Sequence, residues 1–157
     1  MLHEGAVRVY AVDTGYGMLE WKLRQDDRVE VMERTNAMHA ELPEQVDVLT
    51  IDTAWTCQRN ILPNALRQVK PDGLILSLFK PQYEADRDLV HRGKVAVEDW
   101  HTVLHATLED LQARGIPVEQ VIELPHKRKS KNKEAILVIR VAQVDTEQVP
   151  EPGEAPE

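Results

Sequence analysis

Four nearly unbroken apolar runs constrain this chain more than any other feature. Val7 to Val12, Val29 to Met32, Val46 to Ile51 and Leu74 to Phe79 each read as a strand. Each stops at a polar or charged position: Asp13, the stretch around Thr35 and Asn36, Asp52 and Lys80. A strand that is apolar at every residue is buried on both faces, which is the signature of a parallel sheet covered by helices.

The segments between the runs read as helices. Met18 to Gln25 is a short one. Asn60 to Val69 places Ile61, Leu62, Ala65, Leu66 and Val69 on one face. Pro63 suits only a first turn, so that helix is expected to start near Asn60, and Pro71, Asp72 and Gly73 are expected to end it. Glu98 to Arg114 is the most regular helix. Its apolar stripe is Trp100, Val103, Leu104, Leu108 and Leu111, and Gly115 stands where a left-handed residue closes a helix. Val118 to Leu124 and Ala135 to Val141 are strands with no helix between them, so they should pair as an antiparallel hairpin. The fold class is therefore α/β, mostly parallel, with a final antiparallel strand.

With 157 residues the chain fits one domain, residues 1–142, followed by a tail, residues 143–157. That tail holds three prolines, five acids and no base, a composition expected to stay disordered. The net charge of -8 excludes a globally basic nucleic-acid binder, although a local basic patch suffices for phosphate contacts. A single cysteine, Cys57, permits no internal disulfide and suits a reducing cytoplasm. No apolar run approaches the ~20 residues of a membrane span. His101 and His105 are four apart on a helix that carries a core stripe, and no third ligand accompanies them, so no metal is expected.

Ligands of open α/β sheets bind outside the carboxyl ends of the strands. Asp13, Thr35, Asn36, Asp52 and Lys80 all fall there. Asp13 can accept hydrogen bonds from ribose hydroxyls or serve as a turn residue. Asn36 can read an adenine edge or cap a turn. Asp52 and Lys80 leave neighbouring strands at one edge, where they can form a plain salt bridge or hold and deprotonate a hydroxyl. Glu134, at the start of the last strand, can orient Lys80 or remain a surface carboxylate. Lys127, Arg128, Lys129, Lys131 and Lys133 form the one dense basic cluster, suited either to phosphates or to solvent.

Together these stretches resemble the FtsJ-like methyltransferases, most closely the TlyA-type branch. The matching segments are VYAVDTGYGMLEWKLRQDDRVEVMERTN, VDVLTID, ILPNALRQVKPDG, LFKPQYE and NKEAILVIR. The resemblance covers residues 5 to 142. It implies a Rossmann-like sheet of seven strands, the last antiparallel, and S-adenosylmethionine-dependent methylation of ribose 2′-hydroxyls in ribosomal RNA. It further implies that Asp52, Lys80 and Glu134 occupy three positions of a four-residue catalytic set, and that Asp13, Thr35 and Asn36 hold the cofactor's adenosine.

Several family features are absent. There is no strand with a DxGxxxGGF-type loop ahead of Val7, and the first lysine of the catalytic set is missing with it. The preceding RNA-binding domain of many TlyA-type proteins is missing too. TAWT follows Asp52 where a serine-phenylalanine pair is usual, and HKRKSKNKE precedes the last strand where glycines are usual. The missing strand belongs in the centre of the sheet. The reading adopted is that the true protein continues upstream. The alternatives are a non-catalytic RNA- or protein-binding relative and pairing of the open edges with another chain.

Overall fold

The computed structural model describes residues 1–125 and 131–150. The first strand, β1 (Val9–Asp13), is followed by a one-turn helix, α1 (Trp21–Arg24), and by β2 (Val29–Glu33). The two strands pair in parallel, from Val9 opposite Val29 to Asp13 opposite Glu33. A second unit runs β3 (Val46–Ile51), α2 (Gln58–Arg67) and β4 (Val69–Phe79), again with parallel strands.

After β4 come α3 (Pro81–Glu84), a small antiparallel hairpin of β5 (Val90–His91) and β6 (Lys94–Val95), and the long helix α4 (Trp100–Ala113). The chain closes with β7 (Gln120–Glu123) and β8 (Ala135–Arg140), which form the expected antiparallel hairpin. β8 also lies antiparallel beside β4, giving a sheet of order β3-β4-β8-β7. β8 is thus the one reversed strand of that sheet.

The core lies where α2 and α4 cover the larger sheet. Leu62, Ile75, Leu111, Leu137 and Ile139 are fully buried. Trp100 meets Phe79 edge to face at 5.9 Å. Each such side chain contributes about 1.5–3 kcal/mol by leaving water. The stripe expected on α4 is the face it buries, with Leu108 only partly covered. Gly115 adopts φ +75°, as a helix-closing residue should. Asn64 of α2 donates to the carbonyls of Ala37 and Ala40, both at 2.9 Å, which ties the β2–β3 connection to the larger sheet.

Three expectations need correction. Helix α2 starts at Gln58, and Pro63 sits in its second turn. The earlier start is stabilised by the Glu84 carboxylate, which accepts the Gln58 N–H at 2.9 Å. Pro71, Asp72 and Gly73 do not form a separate loop; they lie within β4, where the register with β3 jumps between Val46 and Val48. The tail is also better anchored than its composition suggests. Asp145 donates its N–H to the Gly115 carbonyl at 2.8 Å, and Val144 and Val149 pack on the core. Residues 151–157 lie outside the described residues.

β1 and β3 are less buried than β4 and β8, although their sequences are as apolar. Among the described residues no ladder joins β1 to β3, so the two parallel units form separate sheets.

Candidate active site

β3 and β4 run in parallel with Ile51 opposite Ser77, so Asp52 and Lys80 leave the sheet at the same edge. Lys80 has an extended backbone and caps α3, where Pro81 takes the first position, one that requires no N–H donor. The Lys80 Nζ donates to Asp52 Oδ1 at 2.6 Å and to the Thr53 carbonyl at 2.8 Å. The Lys80 side chain is 16% exposed and that of Asp52 is 74% exposed. An amine walled in by protein therefore meets a carboxylate open to solvent.

The segment between Asp52 and α2 is pinned beyond its far end. Gln58 donates to the Leu78 carbonyl at 3.1 Å and accepts from the buried Ser77 hydroxyl at 2.6 Å. Glu84 holds the first N–H of the helix. Burial pushes the Glu84 carboxyl up to about 7, with Asp110 adding to the rise while the Gln58 N–H and Arg59 oppose it. The neighbouring Cys57 thiol is also pushed up by burial and by Glu84, so it lacks the character of a reactive thiolate.

Trp55 stands in this segment with φ +65° and is 90% exposed. Its ring lies 5.8 Å from that of Tyr83 on α3, in a tilted arrangement. The pair makes an aromatic ledge beside Asp52 and Lys80. TAWT departs from the family pattern here, and a tryptophan three residues past a strand-end aspartate is the signal in the sequence for this ledge.

Glu134 lies one step beyond the Phe79–Ala135 pair of β4 and β8, which places it opposite Lys80 in register. Its carbonyl accepts the Leu124 N–H at 3.0 Å. Among the described residues no ion pair joins its carboxylate to Lys80.

The other strand ends form a second cluster. Asp13 Oδ1 accepts the Gly15 N–H at 2.6 Å, and the Asp13 carbonyl accepts the Thr35 N–H at 3.0 Å. The Thr35 hydroxyl donates to the Glu33 carbonyl at 3.1 Å, and Asn36 Oδ1 accepts the Met38 N–H at 3.0 Å. Each of these side chains thus has a turn-forming role. Asp13 keeps a second carboxylate oxygen at an exposed position, and Asn36 keeps its amide N–H groups. Glu33 is held below the usual carboxylate range, first by the Gly17 N–H and then by Arg24. The Arg34 guanidinium lies 4.6 Å over the Tyr16 ring.

Of the basic cluster, Lys127, Arg128 and Lys129 lie outside the described residues. Lys131 is exposed. Lys133 turns inward: its side chain is 17% exposed, its Nζ is 2.6 Å from Glu123 and 3.8 Å from the centre of the Trp100 ring. Among the described residues no group of His, Cys, Asp and Glu converges to hold a metal, and no helix is long and apolar enough to cross a membrane.

An α/β sheet with one reversed strand, and with polar residues at the strands' carboxyl ends, is the architecture of Rossmann-like methyltransferases. The chain belongs to the FtsJ-like methyltransferase family, whose model matches residues 1–141. It is 44% identical over 93 residues to the YqxC protein of Bacillus subtilis, covering 57% of this chain and 33% of that protein. It is 39% identical over 99 residues to the 16S/23S rRNA (cytidine-2′-O)-methyltransferase TlyA of Mycobacterium tuberculosis, covering 60% of this chain and 37% of that one. The match thus spans about a third of each relative's length. A Streptococcus thermophilus protein solved under a hemolysin name superposes with a TM-score of 0.83 at 31% identity, over 98% of this chain and 56% of the other.

Proposed function

We propose that the chain carries the catalytic part of an S-adenosylmethionine-dependent ribose 2′-O-methyltransferase acting on ribosomal RNA in the cytoplasm. The observation that supports this most directly is the Lys80 amine, held by Asp52 and Thr53 at the mouth of the sheet. A lysine nitrogen has up to three N–H donors, and those two partners occupy two. The remaining position at the nitrogen is available to a substrate hydroxyl. Lys80 positions the 2′-oxygen and, in its amine form, takes the hydroxyl proton at Nζ. Asp52 orients the amine, and Glu134 lies opposite it in register.

The residues at the ends of β1 and β2 fit the adenosine half of the cofactor. Asp13 offers a carboxylate oxygen to the ribose hydroxyls, and Thr35 and Asn36 border the place of the base. When bound, S-adenosylmethionine supplies an electrophilic methyl group on a sulfonium, so the protein contributes mainly alignment. The Trp55–Tyr83 ledge suits an unstacked base next to the reacting ribose. Lys131, with Lys127, Arg128 and Lys129, serves the phosphates.

The test is transfer of a tritiated methyl group to ribosomal RNA transcripts, paired with calorimetric titration of the cofactor. Label on ribose that disappears with 2′-deoxy substrate supports the reading. Cofactor binding without transfer to any ribosomal transcript, or neither binding nor transfer, overturns it for this chain.

A further inference from the structure

Gln58 is 4% exposed and carries a polar side chain into a largely apolar core. Such a group persists in a core when its hydrogen bonds are met, and its partners here all belong to one stretch of chain. The Gln58 Oε1 accepts from the Ser77 hydroxyl at 2.6 Å, and its Nε2 donates to the Leu78 carbonyl at 3.1 Å. Its backbone N–H donates to Glu84 Oε1 at 2.9 Å. Ser77 and Leu78 come just before Lys80, and Glu84 ends the one-turn helix that Lys80 caps.

These contacts fix the chain on both sides of the lysine. The β3–β4 ladder ends at the Ile51–Ser77 pair, so the Leu78 carbonyl lies just past it, and the Gln58 amide takes that carbonyl. On the other side α3 is a closed turn. Tyr83 donates its N–H to the Lys80 carbonyl at 3.0 Å, and Ala85 donates to that of Pro81 at 2.9 Å. Holding Glu84 therefore holds the Lys80 end of the turn as well. Gln58 also starts α2, after the segment that carries Thr53 and Trp55. The Thr53 carbonyl accepts from the Lys80 Nζ at 2.8 Å. One residue thus couples the backbone that carries the amine to the backbone that receives it.

We infer that Gln58 is a positioning residue for Lys80: its side-chain amide and backbone N–H fix the Lys80 turn against the segment from Thr53 to Trp55 and so keep the amine aimed at the substrate oxygen. The chemical consequence rests on the methyl-transfer reading; the geometry rests on the hydrogen bonds alone. Gln58 touches no reacting atom. It acts because lysine has a flexible four-carbon stem, and an amine seated between fixed acceptors has already lost the freedom that reaction would otherwise have to remove.

Trace acetylation of the full chain, read by mass spectrometry, gives the reactivity of Lys80 relative to that of Lys133. The two are matched: their side chains are 16% and 17% exposed, and each amine is 2.6 Å from a carboxylate. The partners of Lys133 are Glu123 and the Trp100 ring, apart from the Gln58 contacts. Gln58→Leu keeps a side chain of similar size and removes both of its hydrogen bonds. The ratio is expected to rise about 10-fold, the scale of local opening that two lost buried hydrogen bonds allow. Ser77→Ala removes one of the two and raises the ratio about 3-fold; should the leucine variant fail to fold, this variant decides alone. An unchanged ratio overturns the inference. So does an equal rise at both lysines, because that reports general loosening of the fold. In the transfer assay Gln58→Leu lowers kcat about 10-fold and leaves KM for S-adenosylmethionine within about twofold, and a loss confined to KM also overturns the inference. Acetylation requires no turnover, so an unaltered chain that transfers no methyl group refutes the proposed function and leaves the lysine ratio to decide the role of Gln58.

Discussion

Lys80 and Asp52 are 2.6 Å apart yet live in opposite surroundings, the lysine walled in and the aspartate open to water. An ion pair with one partner in solvent adds at most about 1 kcal/mol to stability. Its value to the fold is therefore small, while its effect on the direction of the Lys80 nitrogen is large.

Asp52→Asn is accordingly expected to shift the urea midpoint by less than about 1 kcal/mol of stability. The same change lowers methyl transfer by about 100-fold or more, because a neutral amide oxygen replaces the charged acceptor that orients the Lys80 nitrogen. Lys80→Ala removes transfer and leaves the calorimetric affinity for S-adenosylmethionine nearly unchanged. Equal loss of both would make Lys80 a structural residue.

Trp55→Ala removes an exposed ring and leaves the melting temperature unchanged. If the ledge stacks on a base, affinity for single-stranded ribosomal RNA fragments falls by about 1–3 kcal/mol, as filter binding would measure. Unaltered affinity would remove Trp55 from the RNA site.

Lys133→Ala behaves in the opposite way. The side chain is spent on Glu123 and on the face of Trp100, so its loss destabilises the fold by about 1–2 kcal/mol. RNA affinity in the same assay stays within about twofold at constant salt, whereas neutralising a lysine that contacts phosphate would also reduce the salt slope by about one.

Glu84 makes stability depend on pH. Its carboxyl is pushed up to about 7 in the fold from an ordinary value of 4.5, so between those limits the folded chain binds more protons than the unfolded chain. Its contribution is greatest below about 4.5 and is lost as pH rises to about 7. In urea titrations Glu84→Gln removes this decline while still accepting the Gln58 N–H through its amide oxygen. A profile that is equally steep in the variant would refute the assignment.

Gly73→Ala tests the irregular start of β4. A Cβ there would come 2.8 Å from the Asp47 carbonyl and 2.4 Å from Val69 Cγ1. Backbone cannot yield as a flexible side chain can, so a loss of about 1–3 kcal/mol is expected in urea unfolding.

Much of the framework was legible along the chain. The run Val46 to Ile51 became β3 without adjustment, the stripe from Trp100 to Leu111 became the buried face of α4, and the hairpin of β7 and β8 followed from two apolar runs with no helix between them. These features depend on how each side chain partitions between water and core, which is written locally. The start of α2 was misjudged because it depends on Glu84, 26 residues away, whose carboxylate no local pattern connects to Gln58. The part of the tail up to residue 150 is held for a similar reason, since Val144 and Val149 find a core surface that composition cannot reveal.

The sequence by itself determined the order of strands and helices and brought Asp13, Asn36, Asp52 and Lys80 to strand ends, because apolar periodicity and its interruption are properties of neighbouring residues. Only the tertiary structure decided which of those residues meet. It joined Lys80 to Asp52, turned Lys133 inward and paired Trp55 with Tyr83. Each of those outcomes is set by distances between residues far apart in the chain, and such distances exist only once the sheets have packed.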